Sequence, residues 1–321
     1  MTTVRACAPG KLFLTGEWAV LRGAPALVAA VDRQASVTLE PGTDGIVVES
    51  LAEGRTDRLD LASADAPLPG GDAGAVLAAI RQRRESPRAL RVIVDSRAFL
   101  IGERKLGLGR SAATLVAASA ALAPAASRAE LLERGLEANA LFQAGQGSGA
   151  DVAAAVYGGL IEARRESATL AVRARALPVG LHLVAGWTGT SAHTTPLLVR
   201  FAAAPTPAAL AELARVAITA ADAVERGDAA TLLDAVDRSA ALLVRLGNEL
   251  DLPLVTPALS TLVRVAQRAG AAAKPSGAGG GDCGVALATS STQAAAVRAA
   301  WQDAGILPLP VTIVEQGVVV G

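Results

Sequence analysis

The sequence predicts an α+β fold in two lobes, on three observations. Residues 4–50 read mostly as strands. Residues 206–270 read as one long helical block. The chain then closes on strands around a single helix, so strand-rich and helix-rich halves follow one another rather than alternating. The change of texture after Pro178 places a boundary near residues 165–185, with lobes at 1–175 and 176–321.

The elements follow in order. "KLFLT" and "ASVTLE" are short apolar or alternating runs, hence strands, and "PGTDG" between Glu40 and Ile46 is a turn. Residues 51–70 are polar and broken by Pro and Gly, so they predict a loop. "DAGAVLAAIRQRR" predicts a helix and "ALRVIVDS" a strand. Ser111–Leu122 is a run of small side chains that predicts a helix stopped near Pro124. Ser127 and Glu130 form an S-x-x-E capping pattern that starts a helix running to about Gln143. "GQGSGADVAAAVYGG" predicts a glycine loop, a short helix and a break. "GLIEARR" and "ATLAVRAR" predict a strand pair, and "VGLHLVAGW" a strand. Breaks in the helical block fall near Gly227 and Pro253. "GVALAT" and "VTIVEQGVVV" are expected strands around a helix at Gln293–Asp303.

Composition narrows the function. The chain has 321 residues, 51% of them hydrophobic, which predicts a folded protein rather than a disordered one. Aromatics are 2%, so the core must be built from Ala, Val and Leu. Formal net charge is zero, which argues against nucleic acid as the main partner. Two cysteines, Cys7 and Cys283, make no disulfide framework, and "MTTVRACAPG" has no apolar secretory run. The least polar stretch, Ser111–Ser127, contains Pro124 and is short of a membrane span. A cytoplasmic protein with no membrane partner is expected, as a monomer or homodimer.

Three of the 30 basic residues are lysines: Lys11, Lys105 and Lys274. Each borders a glycine-containing segment: "APGKLFLTGE", "KLGLGRSA" and "KPSGAGGGDCG". In an arginine-rich chain this points to places where a compact ammonium on a flexible stem is wanted.

The glycines suggest what those places bind. A helix N-terminus carries unpaired N–H groups and partial positive charge, and glycines before it let a phosphate approach the backbone. Gly107, Gly109, Ser111 and Ala112 fit that design; the Ser111 hydroxyl is a helix cap or a Mg2+ ligand. The segment is not a Walker A loop. Gly145, Gly147 and Ala150 match G-x-G-x-x-A, but the preceding "LEANALFQ" reads as helix, so a dinucleotide fingerprint fails for context. Asp151 stands in the first turn of a helix, where its carboxylate is stabilised, facing either plain solvent or a phosphate acceptor or metal. "KPSGAGGGDCG" holds five glycines, costly in entropy unless backbone must approach something closely.

"APGKLFLTGEWAVL", "GLGRSAA" and "GAGGGDCG", in that order, resemble the three motifs of the GHMP kinase superfamily. The likeness spans nearly the whole chain. Within the superfamily, "GEWAVLRGAPALVAAVDR", "GSGADVAAAVYGG", "GWTGTSAHTTPL" and "KPSGAGGGDCGVAL" most resemble bacterial-type phosphomevalonate kinases. The resemblance implies an N-terminal ATP-binding lobe like domain 2 of ribosomal protein S5, a ferredoxin-like C-terminal lobe, and substrates in the cleft between them. It implies ATP-dependent, Mg2+-assisted phosphorylation of (R)-5-phosphomevalonate to the diphosphate. The alternatives are a kinase for mevalonate or another small acceptor, and a catalytically silent binder of nucleotide or metabolite.

Carried over, Lys11 and Asp151 sit at the reacting phosphates. Lys105, Gly107, Leu108, Gly109, Arg110, Ser111 and Ala112 cradle the nucleotide, with Ser111 as Mg2+ ligand. Lys11, Ser148, Gly149, His193, Ser276, Gly277, Ala278 and Gly279 face the acceptor. Three residues depart from the family pattern: Trp18 stands where Tyr or His is usual, His193 falls in a segment where members often show Ser, and Arg110 replaces a usual Ser. Arg110 has three readings: a phosphate contact, a solvent-facing side chain, or a plug that disables the nucleotide site.

Overall fold

The chain's apolar runs become two sheets facing one another. The computed structural model describes residues 2–59, 67–82, 89–143, 145–166, 169–192, 194–203 and 206–321. In chain order the first half forms β1 (Val4–Thr15), β2 (Pro25–Pro41), β3 (Gly45–Ser50), β4 (Arg55–Leu59), α1 (Gly71–Arg81), β5 (Ala89–Asp95), the short hairpin β6 (Leu100–Ile101) and β7 (Arg104–Lys105), α2 (Arg110–Leu122), α3 (Arg128–Phe142), α4 (Ala150–Tyr157), β8 (Leu160–Glu166) and β9 (Thr169–Arg175). The second half forms β10 (His182–Trp187), α5 (Thr194–Ala203), α6 (Ala208–Arg226), α7 (Ala229–Leu250), α8 (Pro257–Arg268), β11 (Ala272–Pro275), β12 (Cys283–Ala288), α9 (Ser291–Asp303), β13 (Leu307–Leu309) and β14 (Val319–Val320).

The first sheet runs β14-β1-β2-β5-β3-β4, with the β8–β9 pair joined to β2. Both of its faces are covered, and side chains alternate across it. Phe13, Ala26 and Val28 face helices α1–α4. Leu12, Leu14, Leu27, Ala29 and Val31 face the opposite way, into a core shared with α6, α7 and the second sheet. That double burial explains why "PALVAAV" reads as continuous apolar sequence rather than as an alternating strand. Ser127 and Glu130 form the expected reciprocal cap at the start of α3.

The second sheet is antiparallel, in the order β11-β12-β10-β13. Its strands enter as β10, then helices, then β11 and β12, then α9 and β13: a β-α-β-β-α-β path with strand order 2-3-1-4, the ferredoxin-like arrangement.

The C-terminal segment departs from expectation. "VTIVEQGVVV" is not a strand along its length. It contributes one bridge, Val31 with Ile313, and the two-residue β14 on β1. In between, the Val314 amide donates to the Ala30 carbonyl and the Val314 carbonyl accepts from the Gly159 amide, so the segment crosses the end of the first sheet instead of lying along it. The last residues thus return to the first lobe, which a division at 175/176 does not contain. β13, "LPL", takes an edge of the second sheet, the one place where Pro308 is tolerated. Helix α5 has no counterpart in the sequence-based reading.

A buried ion pair joins the two lobes. Lys274, on β11, is fully buried, and its ammonium donates to the carboxylate of Glu17, itself 5% exposed, at the turn after β1. The same ammonium donates to the Pro275 carbonyl. Beside it the Phe13 amide donates to the Ser276 hydroxyl at 2.9 Å. Burial pulls the Lys274 pKa below its ordinary value, and the charge of Glu17 opposes that pull. An ion pair this dry is costly to break from one side, because the surviving charge has no water to turn to.

Glu17→Gln and Lys274→Met should therefore each cost about 3–5 kcal/mol in denaturant unfolding. The double variant should cost less than either single one. Additive losses in that cycle would show that the two charges do not compensate each other.

Candidate active site

The cleft lies between the lobes and has a volume of about 520 Å³. Its wall is built mainly from four stretches distant in sequence, the end of β1, the loop into α2, the loop into α4 and the loop after β11, with additions that include Gly71, Phe99 and Ala192.

The loop into α2 is shaped by two glycines. Gly107 and Gly109 have φ of 76° and 83°, a left-handed backbone that side chains rarely adopt. A Cβ on Gly107 would run into the Asp282 side chain, and one on Gly109 would stand 2.8 Å from the Lys11 stem. No side chain caps α2, so its first amides are left for a ligand. Ser111 and Ala112, in that first turn, line the cleft.

Lys11 stands opposite. Its own amide donates to the Leu108 carbonyl at 2.7 Å, and its ammonium donates to the Gly107 carbonyl at 3.3 Å. The ammonium lies 5.3 Å from the centre of the Phe13 ring and 3.5 Å from where a Cβ on Gly277 would be. It therefore bridges the phosphate-type loop and the third glycine segment.

Asp151 lies in the first turn of α4, behind Gly149 in a left-handed conformation, and lines the cleft half-buried. Its carboxylate accepts from the Val152 amide at 3.0 Å. Lys11 and Asp151 share the cleft, but the ammonium is held by the Gly107 carbonyl and not by this carboxylate.

Most expected site residues meet here. Lys11, Lys105, Gly107, Gly109, Ser111, Ala112, Ser148, Asp151, Ser276, Gly277 and Ala278 all line the cleft. Five others differ, Arg110 among them. The Leu108 side chain is fully buried in the core between the sheets, so only its backbone reaches the site, through Lys11. Gly149 is buried behind the wall, where a Cβ would run into the Leu136 side chain. Gly279 is turned to the Leu254 backbone rather than to the cleft. His193 lies outside the described residues.

Arg110 requires the largest correction. It lines the cleft, but its guanidinium is engaged by protein groups rather than by solvent. It donates to Ser96 at 2.9 Å and to Asp72 at 3.2 and 2.8 Å, and it is paired with Glu53. The side chain is 11% exposed. Burial pulls the guanidinium pKa down, but the hydrogen bond and charge of Asp72, with those of Glu53, outweigh it and hold the group above its ordinary value.

Three residues that shape the site escaped the sequence reading. Glu17 lines the cleft while held by Lys274, which the scarcity of lysine had singled out without its partner. Asp282, a non-glycine residue at φ 58°, ties the loop 188–192 to the third glycine segment: its carboxylate accepts from the Ala192 amide at 2.9 Å, and its carbonyl accepts from Thr188. Cys283 donates its thiol to the Leu106 carbonyl; burial pushes that thiol's pKa up, so it stays protonated. The odd residues inside "GGGDCG" were the available signal for both.

Comparison with known proteins gives the following. The family model "GHMP kinases N terminal domain" matches residues 73–159, and "GHMP kinases C terminal" matches residues 220–307. A phosphomevalonate kinase from Streptomyces sp. (strain CL190) is 36% identical, over 97% of this chain and 97% of the relative. A mevalonate kinase from Aeropyrum pernix is 32% identical over 88% of each. Among solved structures, the Streptococcus pneumoniae phosphomevalonate kinase in complex with phosphomevalonate and AMPPNP superposes with a TM-score of 0.81 at 21% identity, over 98% of this chain and 100% of that one.

Gly107→Ala should distort the loop into α2, because it meets both an unfavourable φ and the Asp282 side chain. We expect a stability loss of at least about 1–2 kcal/mol and weakened ADP binding in calorimetry. Gly70→Ala is the control: its φ is −72° and its Cβ would enter open space. Equal behaviour of the two variants would overturn the assignment.

Proposed function

This chain belongs to the GHMP kinases, and from that premise we propose that it transfers the terminal phosphoryl group of ATP to (R)-5-phosphomevalonate, forming the 5-diphosphate. The observation that carries this reading is the convergence of Lys11, the open N-terminus of α2 and Asp151 on one cleft, in a chain 36% identical over almost its full length to a phosphomevalonate kinase.

Phosphoryl transfer depends mainly on positioning and charge neutralisation. The free amides at the start of α2 receive the nucleotide's phosphates. Lys11, between Gly107 and Gly277, offsets charge on the group in transfer. The oxygen donors of the wall suit a hard divalent cation, and Ser111 is the residue we assign to hold Mg2+, whose charge offsets that of the phosphates. A phosphate monoester has a second pKa of about 6, so the acceptor is already largely ionised at neutral pH. Asp151 then needs to orient the acceptor and take a residual proton, rather than act as a strong base. Ser148, Ser276, Gly277 and Ala278 form the acceptor side. The silent-binder alternative rested on Arg110 blocking the site, and the engagement of that side chain by Asp72 and Glu53 removes its support. The unpaired cysteines Cys7 and Cys283 support a reducing, cytoplasmic setting.

Coupled ADP release with ATP, Mg2+ and a panel of phosphomevalonate, mevalonate, homoserine and galactose tests the assignment. Turnover with phosphomevalonate is expected. Turnover with mevalonate alone would replace the acceptor and keep the site, a result the Aeropyrum relative makes worth testing. With the true acceptor, Lys11→Ala should lower kcat about 10²–10³-fold, and more than Asp151→Asn does. A larger loss for Asp151→Asn, with a steep pH dependence, would indicate base catalysis instead.

A further inference from the structure

Arg110 sits over an acidic cluster that lies directly behind the nucleotide wall. Asp72, in the first turn of α1, is 1% exposed. Its carboxylate accepts from Ser50 at 2.7 Å, Ser96 at 2.8 Å, Thr114 at 3.3 Å and Arg110. Glu53, at the turn between β3 and β4, accepts from the Asp72 amide at 3.2 Å and from Arg110. Gly71 is part of the cleft wall, and a Cβ placed on it would collide with the Glu53 carboxylate. The acids are therefore adjacent to the cleft, separated from it by glycine backbone.

Two carboxylates in that position oppose the anions that the α2 N-terminus attracts. In a poorly solvated wall their field is weakly screened. Arg55 and Asp57 complete the cluster at the surface: Arg55 pairs with Glu53 at 3.0 Å and with Asp57 at 3.1 Å, while remaining 47% exposed. That outer pair roughly cancels. The inner cation is Arg110, which projects from the first residue of the phosphate-binding helix itself.

We propose that Arg110 is a positioning residue that acts through Asp72 and Glu53: it neutralises these carboxylates behind the α2 N-terminus and so sets the affinity of the cleft for a nucleotide's polyphosphate. It does not touch the nucleotide. This rests on the reading of the cleft as an ATP site, and not on which acceptor is used. An electrostatic screen makes a distinctive demand. Its loss must scale with the charge of the ligand and must be reversible by removing the opposing acid. A purely structural latch between α1 and α2 makes neither demand.

The test is calorimetric binding of ADP and of adenosine to the full chain. Arg110→Met should weaken ADP about tenfold and leave adenosine within about twofold. Adding Asp72→Asn to Arg110→Met should restore most of the ADP affinity. Arg110→Lys, which keeps the charge, should bind ADP nearly as the wild type does. Glu53→Gln alone should tighten ADP binding, and it decides the matter if Arg110→Met does not fold. Equal weakening of ADP and adenosine in Arg110→Met, or weaker ADP binding in Glu53→Gln, would overturn the proposal. If the wild-type chain binds neither ligand, the nucleotide reading of the cleft fails, and this proposal falls with it.

Discussion

The cleft depends on a dry charge pair between Glu17 and Lys274. These residues are 257 positions apart, and each comes from a segment that supplies a wall of the site. The turn after β1 brings Glu17, and the strand before the third glycine segment brings Lys274. A nonpolar pair would bury comparable area, but it would tolerate sliding. A buried ammonium and carboxylate have one favourable arrangement, since displacement leaves either charge without water or partner. With the Phe13 amide on the Ser276 hydroxyl beside it, the pair sets the height at which Gly277 stands over Lys11.

The rest of the cleft extends this logic of braced loops. The phosphate-type loop has little side-chain substance of its own, and the second lobe holds it. The Ser191 hydroxyl donates to the Lys105 carbonyl at 3.1 Å, Arg104 donates to the Gly189 carbonyl at 3.2 Å, and Cys283 takes the Leu106 carbonyl. Asp282 then joins loop 188–192 to the glycines after β11. Glycines give these loops a close approach to ligand at an entropic cost. The cross-lobe hydrogen bonds offset that cost by leaving the loops few alternatives.

Lys11 and the amides at the start of α2 face the cleft, as do Asp151, Glu17 and Asp282, while the Asp72 and Glu53 carboxylates lie behind glycine backbone. Lys11 shows how little is needed to aim a cation: one carbonyl acceptor, an aromatic face and a steric neighbour on each side. Arg110 shows the opposite case, a cation at the first residue of α2 whose hydrogen-bonding capacity is taken up by Asp72, Ser96 and Glu53.

Local features were legible in the sequence because they depend on nearby residues. The capping box at Ser127, the helices other than α5 and the glycine loops follow from spacing and side-chain type, and the family resemblance added Ser148, Ser276 and Ala278 to the cleft residues they pointed to. What failed was what depends on partners. "VTIVEQGVVV" has the composition of a strand, but it meets β2 only across Ala30–Asp32 and the start of β1 only at Val319–Val320, so it crosses rather than pairs along its length. "LPL" has the composition of a loop, yet an edge of the second sheet accepts it. The sequence by itself determined the three glycine segments, the lysines beside them and the carboxylate at the start of α4, and through their order the family. Only the tertiary structure decided which way Arg110 points, that Leu108 is core, and that Lys274 belongs to Glu17. Those outcomes are set by the Coulomb and desolvation energies of groups distant in the chain, and no local pattern encodes which of them meet.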